Sequence, residues 1–190
     1  AEGPDEYFNV KLKWTDTGET SDWMQLHSLD GEPLKLPLQS PFEGEHLDLA
    51  HHQLDPGYVL LLSWWLGTEF SAAVARLSLN GNMITGSINS GGPNAEYDKD
   101  LSGLIALCDA LLTLKNPIEL DLSSCGLSVN GVNPVAKAIS DGAALNSLAL
   151  GSNQIGDDAM IQLLDALKDV PLISLDISET GCGGSTGAKL

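Results

Sequence analysis

Basic residues are scarce in this chain of 190 residues, which contains nine Lys and Arg against 26 Asp and Glu. The formal net charge of -17 repels the phosphates of nucleic acids and anionic lipid surfaces. We therefore expect no nucleic acid among its partners.

Cysteines and glycosylation signals are also scarce. The three cysteines are an odd number, which does not indicate a disulfide framework. No Asn-x-Ser/Thr sequence occurs, which disfavours a glycosylated extracellular protein. We expect an intracellular or organellar protein, for example one of a plastid, rather than a secreted one.

Long apolar segments are missing as well. The longest, from Tyr58 to Leu66, is too short to span a bilayer, so we predict no transmembrane segment and leave peripheral membrane contact open. The chain starts at Ala1 without a methionine or a signal segment. This start fits a processed mature chain and a truncated chain equally well.

A catalytic set of residues is not evident. All four histidines precede residue 53, and no Ser-His-Asp arrangement is indicated. The carboxylates fall on solvent-facing positions, where tuning of their pKa values is weak. We predict no enzyme and no cofactor.

The most informative feature is the spacing L-x-x-L-x-L-x-x-N-x-L from Leu145 to Ile155. Leu148 and Leu150 lie two residues apart and point to one side of a short strand. Asn153 stands where the backbone bends, and its amide can satisfy peptide groups that the bend leaves unpaired. A helix is predicted next, because four apolar residues follow at helical spacing: Met160, Leu163, Leu164 and Leu167.

The same strand-and-helix unit fits four other places, at residues 44–54, 74–84, 117–127 and 172–182. The second leucine positions are Leu49, Leu79, Leu122, Leu150 and Ile177, which are 30, 43, 28 and 27 residues apart. A period near 28 accommodates one strand and one full helix. The long interval holds an insertion at residues 86–100, which we interpret as a solvated loop without regular structure, with contact to a partner as the alternative.

These units resemble the leucine-rich repeats of the ribonuclease-inhibitor type. The resemblance rests on the strand motif, on Asn or Cys at the bend (Asn82, Cys125, Asn153), and on the helix openings at residues 155–159 and 187–190. It covers residues 46–190 and implies an α/β solenoid with a curved parallel sheet inside and helices outside. It also implies binding of other proteins rather than catalysis. The degenerate first repeat and the longer second repeat depart from the pattern.

Residues 1–45 do not follow the repeat and are predicted to form an irregular, partly β N-terminal cap. Alternation from Phe8 to Trp14 predicts a strand. Asp30-Gly31 is a plausible turn between residues 24–26 and 34–36.

Two motifs are better explained without a ligand. His46, Asp48, His51 and His52 do not converge in the repeat frame, so we predict a polar face and a turn rather than a metal site. Residues 181–189 are rich in glycine but lack the spacing of a phosphate-binding loop, because Ala188 separates glycine from lysine.

The sequence thus favours a non-catalytic module for protein–protein interaction, an accessory subunit of a larger assembly. The alternative is a structural subunit of an organellar, for example photosynthetic, membrane complex. The expected binding surface is the concave sheet face, where stacked strands align Asp48, Ser78, Asp121, Ala149 and Asp176 into one row beside Arg76 and Glu119.

The first helix suggests a second surface. Its inward positions are Val59, Leu62, Ser63 and Leu66, yet Leu61, Trp64 and Trp65 are also apolar, so a cover for them is required. The N-terminal segment with Trp14 and Trp23 could supply it. The alternative is a docking patch for a partner subunit or for the interfacial layer of a membrane.

The last predicted helix has room for only one or two turns before Leu190. We therefore expect that further chain or another subunit covers this end of the solenoid.

Overall fold

The computed structural model describes residues 9–10, 24–25, 41–90 and 92–183. The chain divides into two compact units, residues 1–36 and residues 37–190. In the first, β1 (Asn9–Val10) pairs antiparallel with β2 (Met24–Gln25), which places a strand inside the predicted segment Phe8–Trp14. Residues 34–36, Trp14, Trp23 and the last predicted helix opening lie outside the described residues.

The second unit is α/β, as predicted, with a five-stranded parallel sheet and four α-helices in the part of the chain that the structure describes. The strands follow chain order across the sheet, and one helix connects each neighbouring pair. In chain order the elements are β3 (His46–Asp48), α1 (Pro56–Leu66), a 3-10 turn (Glu69–Ser71), β4 (Arg76–Ser78), α2 (Ser102–Leu111), β5 (Ile118–Asp121), α3 (Val129–Ser140), β6 (Leu145–Ala149), α4 (Asp157–Leu167) and β7 (Ser174–Asp176).

The strands are in register through the leucines of the repeat. Leu47, Leu77, Leu120 and Leu148 lie side by side, each at most 7% exposed. Their neighbours along each strand point the other way, because side chains alternate across a strand. One face of the sheet is therefore apolar and covered, and the opposite face is polar and open.

The bends share a backbone geometry that the motif alone does not reveal. The residue before each bend position has a positive φ between 53° and 73° in all five repeats: His51, Gly81, Ser124, Ser152 and Glu179. Glycine adopts this conformation at no steric cost, whereas the other four residues carry some strain. The parallel hydrogen-bond ladder continues through the turn, with Ser124 N donating to Gly151 O at 2.8 Å.

Two buried asparagines form hydrogen bonds that connect their own bend to the bend of the preceding repeat. Asn153 Nδ2 donates to Leu122 O and Leu150 O at 2.9 and 2.8 Å, and Asn153 Oδ1 accepts from Cys125 N and Leu127 N at 3.1 and 2.9 Å. Asn82 makes the equivalent bonds to Leu49 O, Leu79 O and Leu54 N. The predicted role of the amide at the bend is confirmed, and each amide also reaches into the preceding repeat.

The helices pack against each other through their apolar faces. In α1 the predicted inward residues Val59, Leu62, Ser63 and Leu66 are all buried. The helix starts where the Asp55 carboxylate accepts from Tyr58 N at 2.9 Å and proline occupies the first turn. In residues 41–90 and 92–183, none of the helices is long and apolar enough to cross a membrane.

The start of α2 lies very close to α1. A Cβ added to Gly103 would stand 2.2 Å from Pro56 O and 3.0 Å from Val59 Cβ. Only a residue without a side chain fits there, because the obstructing atoms include the backbone of the neighbouring helix.

Gly103→Ala is expected to lower the free energy of unfolding by roughly 1–3 kcal/mol, because α1 and α2 must separate to admit the methyl group. Gly57→Ala is the matched control in the first turn of α1, where a Cβ would meet only the Asp55 carboxylate oxygen at 3.3 Å. It should change the free energy of unfolding by less than about 1 kcal/mol, because only the Asp55 side chain has to shift slightly. Urea denaturation of both variants checks this packing, and an equal response would contradict it.

The insertion at residues 86–100 is more ordered than predicted. Ile88 and Glu96 exchange two backbone hydrogen bonds of 2.8 and 3.0 Å, which close a small antiparallel bridge. Asp98 then accepts from Ser128 N, Ser128 Oγ and Gly131 N, the last at 2.7 Å. The described residues of the insertion form no helix or strand and are mostly exposed, as predicted for a solvated loop, but the insertion also supplies a carboxylate that caps the start of α3.

Candidate protein-binding surface

The open sheet face consists of two side-chain rows across the five strands. Register places His46, Arg76, Glu119, Ser147 and Ser174 in the first row. The second row is Asp48, Ser78, Asp121, Ala149 and Asp176, the alignment predicted from the repeat frame. No two aspartates of this row fall on adjacent strands, which limits their mutual repulsion.

Each aspartate of the second row is held by its own strand end. One oxygen of Asp48, Asp121 and Asp176 accepts from the backbone N–H two residues ahead, at 3.0, 2.9 and 2.9 Å. At Asp176, the backbone hydrogen bond from Ser178 also lowers the pKa of the carboxyl group. The three carboxylates are thus oriented before any partner arrives.

The predicted flanking charges form an ion pair. Arg76 Nε lies 2.5 Å from Glu119 Oε2, with the two side chains 53% and 42% exposed. The hydrogen bond between them raises the pKa of Arg76 and lowers the pKa of Glu119. An exposed pair adds little stability, but it neutralises Glu119 and leaves the aspartates as the open negative charges of this region.

Small residues lie between the aspartates of β5 and β7, a feature that the sequence analysis missed. Ala149 at the end of β6 is half-buried, and Gly151, two residues further along, is buried. Asp176 Oδ2 and Ser178 Oγ lie only 3.1 and 3.0 Å from where a Cβ of Gly151 would be. The small residues of the segment Ala149-Leu150-Gly151 were the available signal.

Only part of the predicted aromatic patch, which consists of Leu61, Trp64 and Trp65, is exposed. Trp64 is 58% exposed and Leu61 is half-buried, but Trp65 is fully buried and packs edge-to-face on Phe42 with ring centroids 6.2 Å apart. The assignment of Trp65 to an outer surface is therefore wrong, because the segment before β3 covers it. The exposed apolar pair is Trp64 with Leu60, which is 48% exposed. Leu60 and Trp64 are four residues apart in α1, a spacing that places both side chains on the same side of the helix.

The histidines and cysteines do not form a reactive site in the described ranges. His46 and Asp48 lie on the open sheet face, while His51 and His52 are exposed at the bend. No three His, Cys, Asp or Glu side chains converge on one point in residues 41–90 and 92–183. Burial raises the pKa of the Cys108 and Cys125 thiols to about 12, so both thiols are protonated at neutral pH.

No protein-family model matches the chain, and no curated protein matches it closely enough to count as a relative.

Proposed function

We propose that residues 46–190 form a leucine-rich-repeat solenoid of the ribonuclease-inhibitor type that acts as a non-catalytic protein-binding module. The chain would serve as an accessory subunit of a larger assembly. Its partner would bind the open sheet face and present basic side chains.

The parallel sheet in chain order supports the solenoid. So do the leucines in register and the buried asparagines that connect one bend to the next. Each is a feature of a repeat that stacks only on its neighbours.

The observation that carries the binding proposal is the oriented aspartate row. Asp121 and Asp176 stand two strands apart, roughly 10 Å, on either side of the small residue Ala149. One oxygen of each is held by the backbone, so the carboxylates lose little freedom on binding. A lysine or arginine side chain placed over Ala149 would lie between two negative charges.

The double variant Asp121→Asn/Asp176→Asn is expected to reduce capture of the partner from native extract by about tenfold at low salt, because two complementary charges are lost. Asparagine keeps the oxygen that accepts from the backbone, so the fold should be retained. Capture is measured by cross-linking and quantitative mass spectrometry.

The matched control is Asp158→Asn/Asp165→Asn, which removes two exposed charges from α4. It should leave capture within about twofold, as expected for charges outside the binding surface. If both double variants captured the same proteins equally well, the open sheet face would not be the binding surface.

A second candidate function is docking through α1. The exposed pair Leu60 and Trp64 supports it, because an apolar pair on an outer helix face is typical of contact with another subunit or with a membrane interface. Under this hypothesis the chain is a structural subunit of a membrane complex, and Trp64 is the residue to test.

A further inference from the structure

A groove of about 640 Å³ lies between α2 and α3, in the helix layer rather than on the open sheet face. Its floor contains Cys108 and Ala138, each 4% exposed. Ile105 and Leu112 form the α2 wall and are 46% and 39% exposed. Asn133 and Pro134 contribute to the α3 wall. The groove is thus apolar inside and open to solvent.

The groove exists because α2 and α3 have small residues where they face each other. At the α1–α2 contact, Gly103 lets the two backbones touch. Between α2 and α3, Asp98 fills the end near the helix starts, where it accepts from Ser128 N and Gly131 N. Further along, Cys108 and Ala138 are too short to close the gap. The insertion at residues 86–100 therefore fixes one end of the groove.

The rim of the groove is negatively charged. Asp98, Asp109 and Asp141 lie on it together with a single cation, Lys137. Lys137 forms an ion pair with Asp141, which raises the pKa of the lysine. Asp109 is exposed, and its charge contributes to the raised pKa of Lys137, so the lysine acts on both carboxylates. Three carboxylates and one ammonium group still leave the rim negative, so a ligand would meet an apolar centre beside an acidic rim.

We propose that this groove binds an amphipathic helix of a partner protein, with its apolar side chains over Cys108 and Ala138 and a lysine or arginine beside Asp109. Helix α2 has ten residues and is about 15 Å long, so the groove accommodates roughly three helical turns. An apolar groove between two helices with a polar rim suits the apolar stripe of a helix.

Electrostatics favours a basic partner helix over a second copy of the chain as the occupant of the groove. Each copy carries a net charge of -17, and the exposed Leu60–Trp64 pair of α1 would bring no positive charge to the rim. Repulsion between copies opposes such docking, whereas a basic helix is attracted.

The test titrates the purified ¹⁵N-labelled chain with a peptide of about three to four helical turns that has leucines on one face and lysines on the other. A second peptide with glutamate in place of lysine is the control. Chemical-shift changes are expected to concentrate in α2 and α3 with the lysine peptide and to be absent with the glutamate peptide.

Two groove variants should weaken binding of the lysine peptide. Ile105→Ser/Leu112→Ser removes the apolar wall at exposed positions, and Asp109→Lys reverses an exposed charge of the acidic rim; we expect a loss of about tenfold for each. The matched control is Asp165→Lys, the same charge reversal at the corresponding outward position of α4, which should change affinity by less than about threefold.

Three outcomes would overturn the proposal. Equal losses for Asp109→Lys and Asp165→Lys would indicate non-specific attraction to an acidic protein. Shifts confined to β4–β7 and abolished by Asp121→Asn/Asp176→Asn would assign the peptide to the open sheet face, leaving the proposed function intact. Concentration-dependent shifts in α1, α2 and α3 without peptide would indicate that a second copy occupies the groove.

Discussion

Asn153→Ala is expected to lower the free energy of unfolding by about 3–5 kcal/mol, a loss reached only when several buried polar groups lose their partners together. The Asn153 amide is 1% exposed and forms hydrogen bonds with two N–H groups and three carbonyls from two successive repeats. Alanine would leave these backbone groups buried without a hydrogen bond. Urea denaturation followed by circular dichroism measures the change.

Two further variants make this prediction specific. Asn82→Ala removes the equivalent amide two repeats earlier and should lower stability by a similar amount, because Asn82 forms the equivalent bonds to Leu49 O, Leu79 O and Leu54 N. Asn133→Ala, at an exposed position of α3, should stay within about 0.5 kcal/mol of the parent. A loss below about 1 kcal/mol for Asn153→Ala would show that water replaces the amide at the bend.

Trp65→Ala is expected to destabilise the protein by about 3–5 kcal/mol, whereas Trp64→Ala should change stability by less than about 1 kcal/mol. The two tryptophans are neighbours in α1, but Trp65 is fully buried against Phe42 and Trp64 is 58% exposed. Removing the Trp65 side chain leaves a cavity in the core, whereas the space left by the Trp64 side chain fills with solvent. The free energies come from chemical denaturation.

The same pair of variants tests docking through α1. If Leu60 and Trp64 contact another subunit or a membrane interface, Trp64→Ala should reduce that association while its melting temperature stays unchanged. A Trp64→Ala variant as unstable as Trp65→Ala would instead mean that the outer face of α1 is covered within this chain, and the docking hypothesis would be discarded.

The repeat pattern by itself was sufficient for the α/β class, for the strand register and for the inward faces of α1 and α4, apart from Leu164, which is only half-buried. Spacing of two residues in strands and about 3.6 in helices is a local property, so Leu148 or Leu163 can be assigned to the core without knowing its neighbours. The same argument correctly aligned the aspartates of the open sheet face, because strands one repeat apart pair in parallel at equivalent positions.

Three features were decided only by tertiary structure. The burial of Trp65 depends on Phe42, which precedes the first repeat and cannot be placed by periodicity. The order in the insertion depends on Asp98 reaching the start of α3, some 30 residues further along the chain. The groove between α2 and α3 depends on the sizes of side chains from two repeats taken together. Each of these features results from contacts between residues that are distant in sequence. A repeating pattern predicts the position of a residue within its own repeat, but it does not predict contacts between residues that depart from the pattern.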